Sequence, residues 1–194
     1  MHRSSVAADG LGSAALTAAQ SRVIDAALAL FAEHGISGTS LQMIADALGV
    51  TKAAVYHQYN TKDEIVFTVA QVVLGGLEAA VTAAEAERSR PRAREVLIGS
   101  MIDLAVEQRR MAGLLQRDPV MLRFLQSHEP FRRVMGRVNH LLMGETSDPG
   151  ARVRAATLAA AIAGAVIHPL VLDLDDATLR SQLLEQVRRI LRLR

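Results

Sequence analysis

The chain has 194 residues, of which 50% are hydrophobic and 3% aromatic, and its formal net charge is +2. It contains no cysteine, which excludes disulfides and thiolate metal sites and fits a reducing cytoplasm. Alanine and leucine dominate, and the β-branched and aromatic enrichment of sheets is missing. The composition therefore predicts an all-α protein of one sizeable domain or two small ones.

Residues 1–16, MHRSSVAADGLGSAAL, have no long apolar stretch behind their basic residue. Because a signal peptide needs such a stretch, we expect a flexible N-terminal arm instead. Three later segments fit the capping box, in which a threonine oxygen accepts a free helix amide and the side chain three residues on reaches back. They run from Thr17 to Gln20, from Thr39 to Gln42 and from Thr61 to Glu64.

Residues 17–60 predict a compact unit of three helices. Gly35 is expected to end the first helix and Gly49 the second, because glycine adopts a left-handed cap easily. Thr51 can cap a third helix of two turns. Two such short helices joined by a glycine turn indicate a helix-turn-helix, since an ordinary hairpin of this length would bury too little apolar surface.

The remaining sequence predicts six further helices, at about 62–87, 92–109, 111–126, 129–144, 150–169 and 176–193. Gly75 and Gly76 fall inside the first of them. They indicate either a soft point that lets the N-terminal unit move or close packing against a neighbour. The apolar run at 155–172 approaches the length of a membrane span, but its alanines, His168 and Pro169 favour a buried packing helix.

Residues 24–66, IDAALALFAEHGISGTSLQMIADALGVTKAAVYHQYNTKDEIV, resemble the DNA-binding domain of the tetracycline-repressor (TetR) family of bacterial transcription regulators. The likeness lies in F-A-x-x-G, G-T-S, I-A-x-x-L-G-V and Y-x-x-Y-x-x-K, and it covers the first third of the chain. It implies a helix-turn-helix domain at 17–62 and a helical ligand-binding and dimerisation domain at 63–194. The dimer would form through about 150–169 and 176–193.

The same resemblance implies how the third helix meets DNA in a major groove about 12 Å wide. Lys52 would reach a phosphate or a guanine edge, Tyr56 would lie along the sugar-phosphate wall, and Lys62 would clamp a phosphate, while Tyr59 packs inside. Gln58 departs from the family, where histidine is common. The full set of expected DNA contacts is Thr39, Ser40, Gln42, Thr51, Lys52, Ala53, Tyr56, His57 and Lys62.

The ligand-binding half is rich in methionine, with five of the seven methionines between residues 101 and 143. Methionine adapts to irregular apolar shapes and favours a plastic pocket for a hydrophobic ligand, although ordinary core filling is the alternative. A metal site formed by His128, His140 and His168 is the weaker idea, because their spacing matches no ligand motif. The expected ligand contacts are Met101, Leu104, Gln108, Met111, Met121, Phe124, Phe131, Met135 and Asn139.

The resemblance implies a cytoplasmic homodimer that represses by binding a palindromic operator and leaves it when a small hydrophobic ligand binds. A DNA-binding protein of the same fold that answers to no ligand is the alternative, and a filled C-terminal core would mark it. A small helical enzyme ranks third, because no nucleophile–base spacing or phosphate loop is visible. We expect no cofactor, no metal and no membrane.

Charge is unevenly distributed along the chain. Residues 1–62 hold four cations and four acids, whereas residues 86–137 hold eleven arginines and six acids. Net charge alone would therefore place DNA on the C-terminal half, and we interpret the arginines instead as a solvated helical surface. A DNA-binding unit with so few cations predicts a shallow salt dependence of binding.

Overall fold

The computed structural model describes residues 16–144 and 148–191, and within these ranges it is all-α, as predicted. No β-strand occurs among the described residues. A short 3-10 turn, Pro169–Val171, precedes the last helix. The helices are α1 (Ala18–Gly38), α2 (Leu41–Leu48), α3 (Lys52–Gln58), α4 (Lys62–Glu85), α5 (Arg90–Glu107), α6 (Arg109–Arg117), α7 (Pro119–Ser127), α8 (Glu129–Met143), α9 (Pro149–Ala165) and α10 (Asp176–Leu191).

The N-terminal unit, α1 to α3, begins as the sequence predicts. Thr17 caps α1 with both bonds of the capping box, one from the Gln20 amide and one back to the Gln20 side chain. Gly35 adopts a φ of 72° and breaks the helical path, although one more turn follows it, up to Gly38. Val23, Ala27 and Phe31 lie on the buried face of α1 and pack against α2 and α3.

The second and third predicted capping boxes are partly wrong. Ser40, not Thr39, caps α2, and its hydroxyl accepts the Met43 amide. Thr39 is instead buried at the end of α1, where its hydroxyl donates to the Gly35 carbonyl that the broken helix leaves free. Thr61 caps α4, but the Glu64 carboxylate accepts the Asn60 amide, one residue earlier than the box requires.

The long helix α4 connects the N-terminal unit to the rest of the protein. It packs against α5 and α8 and contributes a nearly continuous apolar stripe to the core. By length and composition α4 could cross a membrane, yet half of its most apolar window is already buried inside the fold. A core helix of a globular protein can have the same length and composition, so α4 is weak evidence for a membrane span.

The second of the paired glycines of α4 supports close packing, while the soft point stays a prediction. The helix continues through Gly75 and Gly76 without a break. A Cβ built on Gly76 would lie 2.6 Å from Cδ1 of Leu104 on α5, whereas one on Gly75 would meet no described atom within 4 Å. Gly76 therefore lets α4 and α5 approach closely.

The prediction of one helix at 111–126 is wrong, because the structure has two helices there, α6 and α7. The break falls at Asp118, whose ψ of 118° is extended. Proline disfavours the helical conformation in the residue before it, so Pro119 forces this break and then occupies the first position of α7. The Asp118 carboxylate caps the new helix by accepting the Val120 and Met121 amides.

The C-terminal helices α9 and α10 complete the body of the molecule. Leu158 and Ile162 of α9 are buried in a second apolar cluster together with Leu179 and Val187 of α10. The apolar run beginning at residue 155 thus packs inside the fold, and its helix ends at Ala165.

The core does not divide at the predicted domain boundary. One buried cluster joins Phe31 of α1 and Val55 of α3 to Met111, Met121 and Val134 of the body. The division into residues 17–62 and 63–194 therefore stays a proposal about function, and the predicted arm at 1–16 lies almost entirely outside the described residues.

Candidate nucleic-acid interface

The orientation of α3 is fixed by two residues on its inner side. Val55 is completely buried, and Tyr59, which ends the helix, is 4% exposed. Residues four apart lie on the same side of a helix, so both point into the core against α1 and α2. The opposite side must face solvent. Lys52, Ala53, Tyr56 and His57 are all exposed there.

The turn between α2 and α3 depends on Gly49. Its φ of 65° and ψ of 32° are left-handed, a conformation that glycine adopts without steric cost. The Gly49 amide donates to the Asp46 carbonyl and the Val50 amide donates to the Ala45 carbonyl, which closes the end of α2. Thr51 then caps α3 by accepting the Ala54 amide. This turn brings the starts of both short helices to the surface.

The exposed end of α3 carries a cation over an aromatic ring. The Lys52 ammonium lies 5.5 Å from the centre of the Tyr56 ring, a cation–π distance. The Tyr56 side chain remains 41% exposed. The pair presents a positive charge and a phenol hydroxyl at one place, which suits a phosphate and the sugar beside it.

The start of α2 offers a second set of polar groups. Ser40 is exposed, but its hydroxyl is already the acceptor of the helix cap, so only its proton is free to be donated. Gln42 is exposed and its amide nitrogen donates to Asp46 at 2.7 Å. That bond is solvent-exposed and can be exchanged for one to a base edge.

Two expected DNA contacts take structural roles in this geometry. Thr39 is 2% exposed, and its hydroxyl is used within α1. The Lys62 ammonium donates to the carbonyls of Ile36 at 2.6 Å and Thr39 at 2.8 Å, with Ser37 at 3.4 Å. These carbonyls lie at the end of α1, and that of Ile36 also accepts the Thr39 amide, so Lys62 caps that helix. No local pattern signals this role, because the carbonyls lie more than twenty residues away along the chain.

The Tyr59 hydroxyl is the unusual group behind the interface. Its oxygen is buried and has no hydrogen-bond partner among the described residues. The neighbouring Thr68 hydroxyl donates to the Glu64 carbonyl instead. Burial raises the pKa of the Tyr59 phenol, and the Thr68 side chain opposes this rise.

Ion pairs include some of the arginines in the arginine-rich stretch. Arg92 contacts Glu95, Arg137 contacts Glu85, and Arg109 contacts Asp176 of α10. The Arg137 guanidinium lowers the pKa of the Glu85 carboxyl by hydrogen bonding. Such pairs neutralise only the arginines that take part in them, so the choice of α3 as the candidate interface rests on its geometry and not on charge.

The predicted ligand contacts do not line one common cavity. Met111 and Met121 are buried, and Phe124, Phe131 and Met135 pack against the same core cluster. Met101 joins a separate cluster, Leu104 fills the space beside Gly76, and Asn139 is exposed on α8. The prediction of a shared pocket is therefore not supported for most of these side chains, which fill the core.

A cleft of about 560 Å³ does contain two of the predicted residues, Gln108 and Met111. It lies between α1 and the junction of α5 and α6, with Ile24 and Leu28 on its apolar wall. The Gln108 side-chain oxygen is buried there and lacks a hydrogen-bond partner among the described residues. An apolar wall with an unused polar group is typical of a small-molecule site.

Two of the three histidines considered for a metal, His128 and His168, make other contacts. The His128 ring stacks on Phe124 with ring centres 5.3 Å apart, and its Nε2 lies 3.4 Å from the Gln71 amide. His168 accepts the Leu170 amide. Within the described ranges, no group of three or more histidine, aspartate or glutamate side chains could hold a metal ion.

A short exposed helix that follows another short helix and a glycine turn is the arrangement of a helix-turn-helix unit. Residues 23–69, which include this interface, match the family described as bacterial regulatory proteins, tetR family. The match covers α1 to α3 and the start of α4, so this N-terminal part of the chain is similar to that family.

Two curated regulators and one solved structure are similar to this chain. The regulator AcrR of Shigella flexneri is 33% identical over 91 residues, 45% of this chain and 42% of AcrR. A probable acrEF/envCD operon repressor of Escherichia coli strain K12 is 44% identical over 43 residues, 22% of this chain and 20% of that repressor. The chain thus spans less than half the length of these curated relatives. The ketosteroid regulator KstR2 of Mycobacterium tuberculosis, 17% identical, shares the fold with a TM-score of 0.70 over 89% of this chain and 94% of that chain.

Proposed function

We propose that the protein is a repressor that binds a palindromic operator as a homodimer in the cytoplasm and leaves it when a small hydrophobic ligand binds. The observation that carries the proposal is the exposed side of α3. Lys52, Ala53, Tyr56 and His57 share it, while Val55 and Tyr59 hold the helix against the core. Ala53 is too small to hydrogen-bond a base, so it permits close approach and can contact a thymine methyl.

The DNA contacts are proposed at Ser40, Gln42, Thr51, Lys52, Ala53, Tyr56 and His57. Because Thr39 and Lys62 use their polar groups at the end of α1, we assign them to supporting the reading unit, α2 and α3 with the turn between them. With few base-edge donors on α3, sequence preference depends on Lys52, His57 and Gln42 and on the shape of the DNA.

Selection from a random duplex library tests DNA binding directly. The wild-type protein should enrich one sequence with two-fold symmetry, as a symmetric dimer requires. Y56F and K52A should each weaken binding to that sequence, by roughly 1 kcal/mol or more, for loss of one phosphate contact. Enrichment of no sequence would contradict the proposal. R123A removes one exposed cation on α7, outside the reading unit, and serves as a control.

The dimer is proposed through the outer side of α9 and the segment after it. Ala156, Ala160 and Ala161 are exposed and small enough for close helix approach. Leu170 is 82% exposed, and a partner would cover this apolar surface. Leu179 and Val187 of α10 do not contribute, because they are buried within the same chain.

For the ligand, the cleft between α1 and α6 is the better proposal than the methionine cluster. A molecule with an apolar body and one polar group would meet Ile24, Leu28 and Met111 and the Gln108 side chain. The packed methionines give some support to the alternative, a DNA-binding protein that answers to no ligand. Release of the selected DNA by hydrophobic compounds in wild type but not in L28W, which fills the cleft, would decide between them.

A further inference from the structure

The Asp118 carboxylate connects the body of the molecule to the reading unit. Asp118 lies at the break between α6 and α7 and is 7% exposed. One of its oxygens caps α7 through the Val120 and Met121 amides. The other accepts the Ile36 amide at 2.8 Å, across 82 residues of sequence. The two oxygens of one side chain therefore serve two different parts of the fold.

The Ile36 amide needs this partner because of the break in α1. Gly35 leaves the helical path, so the amide that follows it has lost its place in the helical ladder. Ile36 is 2% exposed, and water cannot take over the bond. The approach is close: a Cβ built on Gly35 would lie 3.4 Å from the Asp118 carboxylate. Glycine thus serves both the turn and the contact.

The same residue is held from its other side by a cation. The Ile36 carbonyl accepts the Lys62 ammonium at 2.6 Å. The Ile36 amide therefore donates to a carboxylate, and the Ile36 carbonyl accepts from an ammonium group. Both are charge-assisted hydrogen bonds. Residues 36–39 lead directly into α2, so whatever fixes Ile36 also fixes where the helix-turn-helix begins.

We propose that Asp118 is a positioning residue for DNA binding, which holds the start of the helix-turn-helix against the α6–α7 junction through the Ile36 amide. The role rests on the proposed function. It also gives the cleft a means of control, since Gln108 and Met111 of the cleft lie at the other end of α6. A ligand that displaces α6 would carry Asp118 with it and move the reading unit.

Two substitutions separate the two roles of the carboxylate. A serine at a helix N-cap still accepts the first amides, but it cannot also reach Ile36. D118S should therefore keep α7 and lose the bond to the reading unit, whereas D118A should lose both. D148S provides a matched control, because Asp148 caps α9 in the same way, before Pro149 and through the Gly150 and Ala151 amides.

Amide hydrogen exchange and DNA affinity are the readouts. In D118S and D118A the Ile36 amide should exchange at least tenfold faster, and affinity for the selected duplex should fall about tenfold, the scale of one charged hydrogen bond. Only D118A should lose protection at Val120 and Met121, and D148S should leave Ile36 unchanged.

A D118S protein with wild-type affinity for DNA would overturn the proposal and leave Asp118 a helix cap. Unchanged exchange at Ile36 would overturn it as well, because another group would then hold the connection. If wild-type protein enriches no duplex, the proposed function itself is wrong, and the exchange result then decides whether Asp118 fixes the segment.

Discussion

The two tyrosines of the chain provide a matched pair for testing how the reading unit is built. Tyr59 is 4% exposed and its hydroxyl has no partner among the described residues, whereas Tyr56 is 41% exposed. A buried hydroxyl without a hydrogen bond costs about 1–3 kcal/mol. Y59F removes that cost and leaves a gap of one oxygen atom, so we expect the free energy of unfolding to rise by about 1 kcal/mol.

The effect can be measured by urea unfolding followed by circular dichroism at one fixed protein concentration. A gain of about 1 kcal/mol corresponds to roughly 2–4 °C in Tm for a protein of this size. Y56F should change stability by less than about 0.5 kcal/mol, since its hydroxyl is in water in both states. In the DNA-binding assay, Y56F should bind the selected duplex more weakly than wild type, and Y59F should bind it as wild type does.

The pH dependence gives an independent measurement. Burial raises the pKa of the folded Tyr59 phenol above its ordinary value of 10.0. The folded state then holds the Tyr59 proton more tightly than the unfolded state does. The stability that this difference contributes is fully present below about pH 10 and is lost as the pH rises above it. Y59F should lose less stability than wild type between about pH 9 and pH 11. A loss of about 1 kcal/mol or more in Y59F at neutral pH would refute the reasoning, because it would show that the hydroxyl makes a good bond.

Three further outcomes are expected. G75A should stabilise the protein by about 0.5–1 kcal/mol, as alanine does in an open helix position. G76A should stabilise it less or destabilise it, because Leu104 must move. Equal increases in stability from both substitutions would contradict close packing. K62M should lower the unfolding free energy by about 1–3 kcal/mol, measured without DNA, whereas a lysine that serves only DNA would leave stability unchanged. The slope of log affinity against log salt for the selected duplex should be no steeper than about −4, because two subunits with about two phosphate contacts each release few counterions. Lys52 is expected to be the chief contact. A slope near about −8 would be incompatible with so few contacts.

Local patterns in the sequence were sufficient for most of the helix starts in the N-terminal part of the chain. Thr17, Thr51 and Thr61 cap helices in the structure, and Gly49 makes the left-handed turn. Each of these roles involves groups within four residues along the chain, so the chemistry is visible in the sequence itself. The inward position of Tyr59 follows from the same helical spacing as Val55.

Long-range contacts give some of the predicted site residues a structural role that no local pattern signals. Lys62 looks like a phosphate clamp until the carbonyls of Ile36 and Thr39 come within its reach. The methionines between 101 and 143 suit a pocket by composition, yet most of those predicted to line it pack into the core. Whether a flexible side chain fills space or leaves it open depends on all its neighbours, and composition carries no such information.

The sequence by itself determined an all-α protein with a helix-turn-helix near its N-terminus, because caps, glycine turns and apolar spacing are local. Only the tertiary structure decided what supports that unit. Asp118 and Lys62 approach Ile36 from distant parts of the chain. Asp118 accepts the Ile36 amide just after Gly35 breaks α1, and Lys62 adds a cation to the carbonyls at the end of that helix. A broken helix must be completed by whatever folds against it, and that partner is chosen by packing in three dimensions.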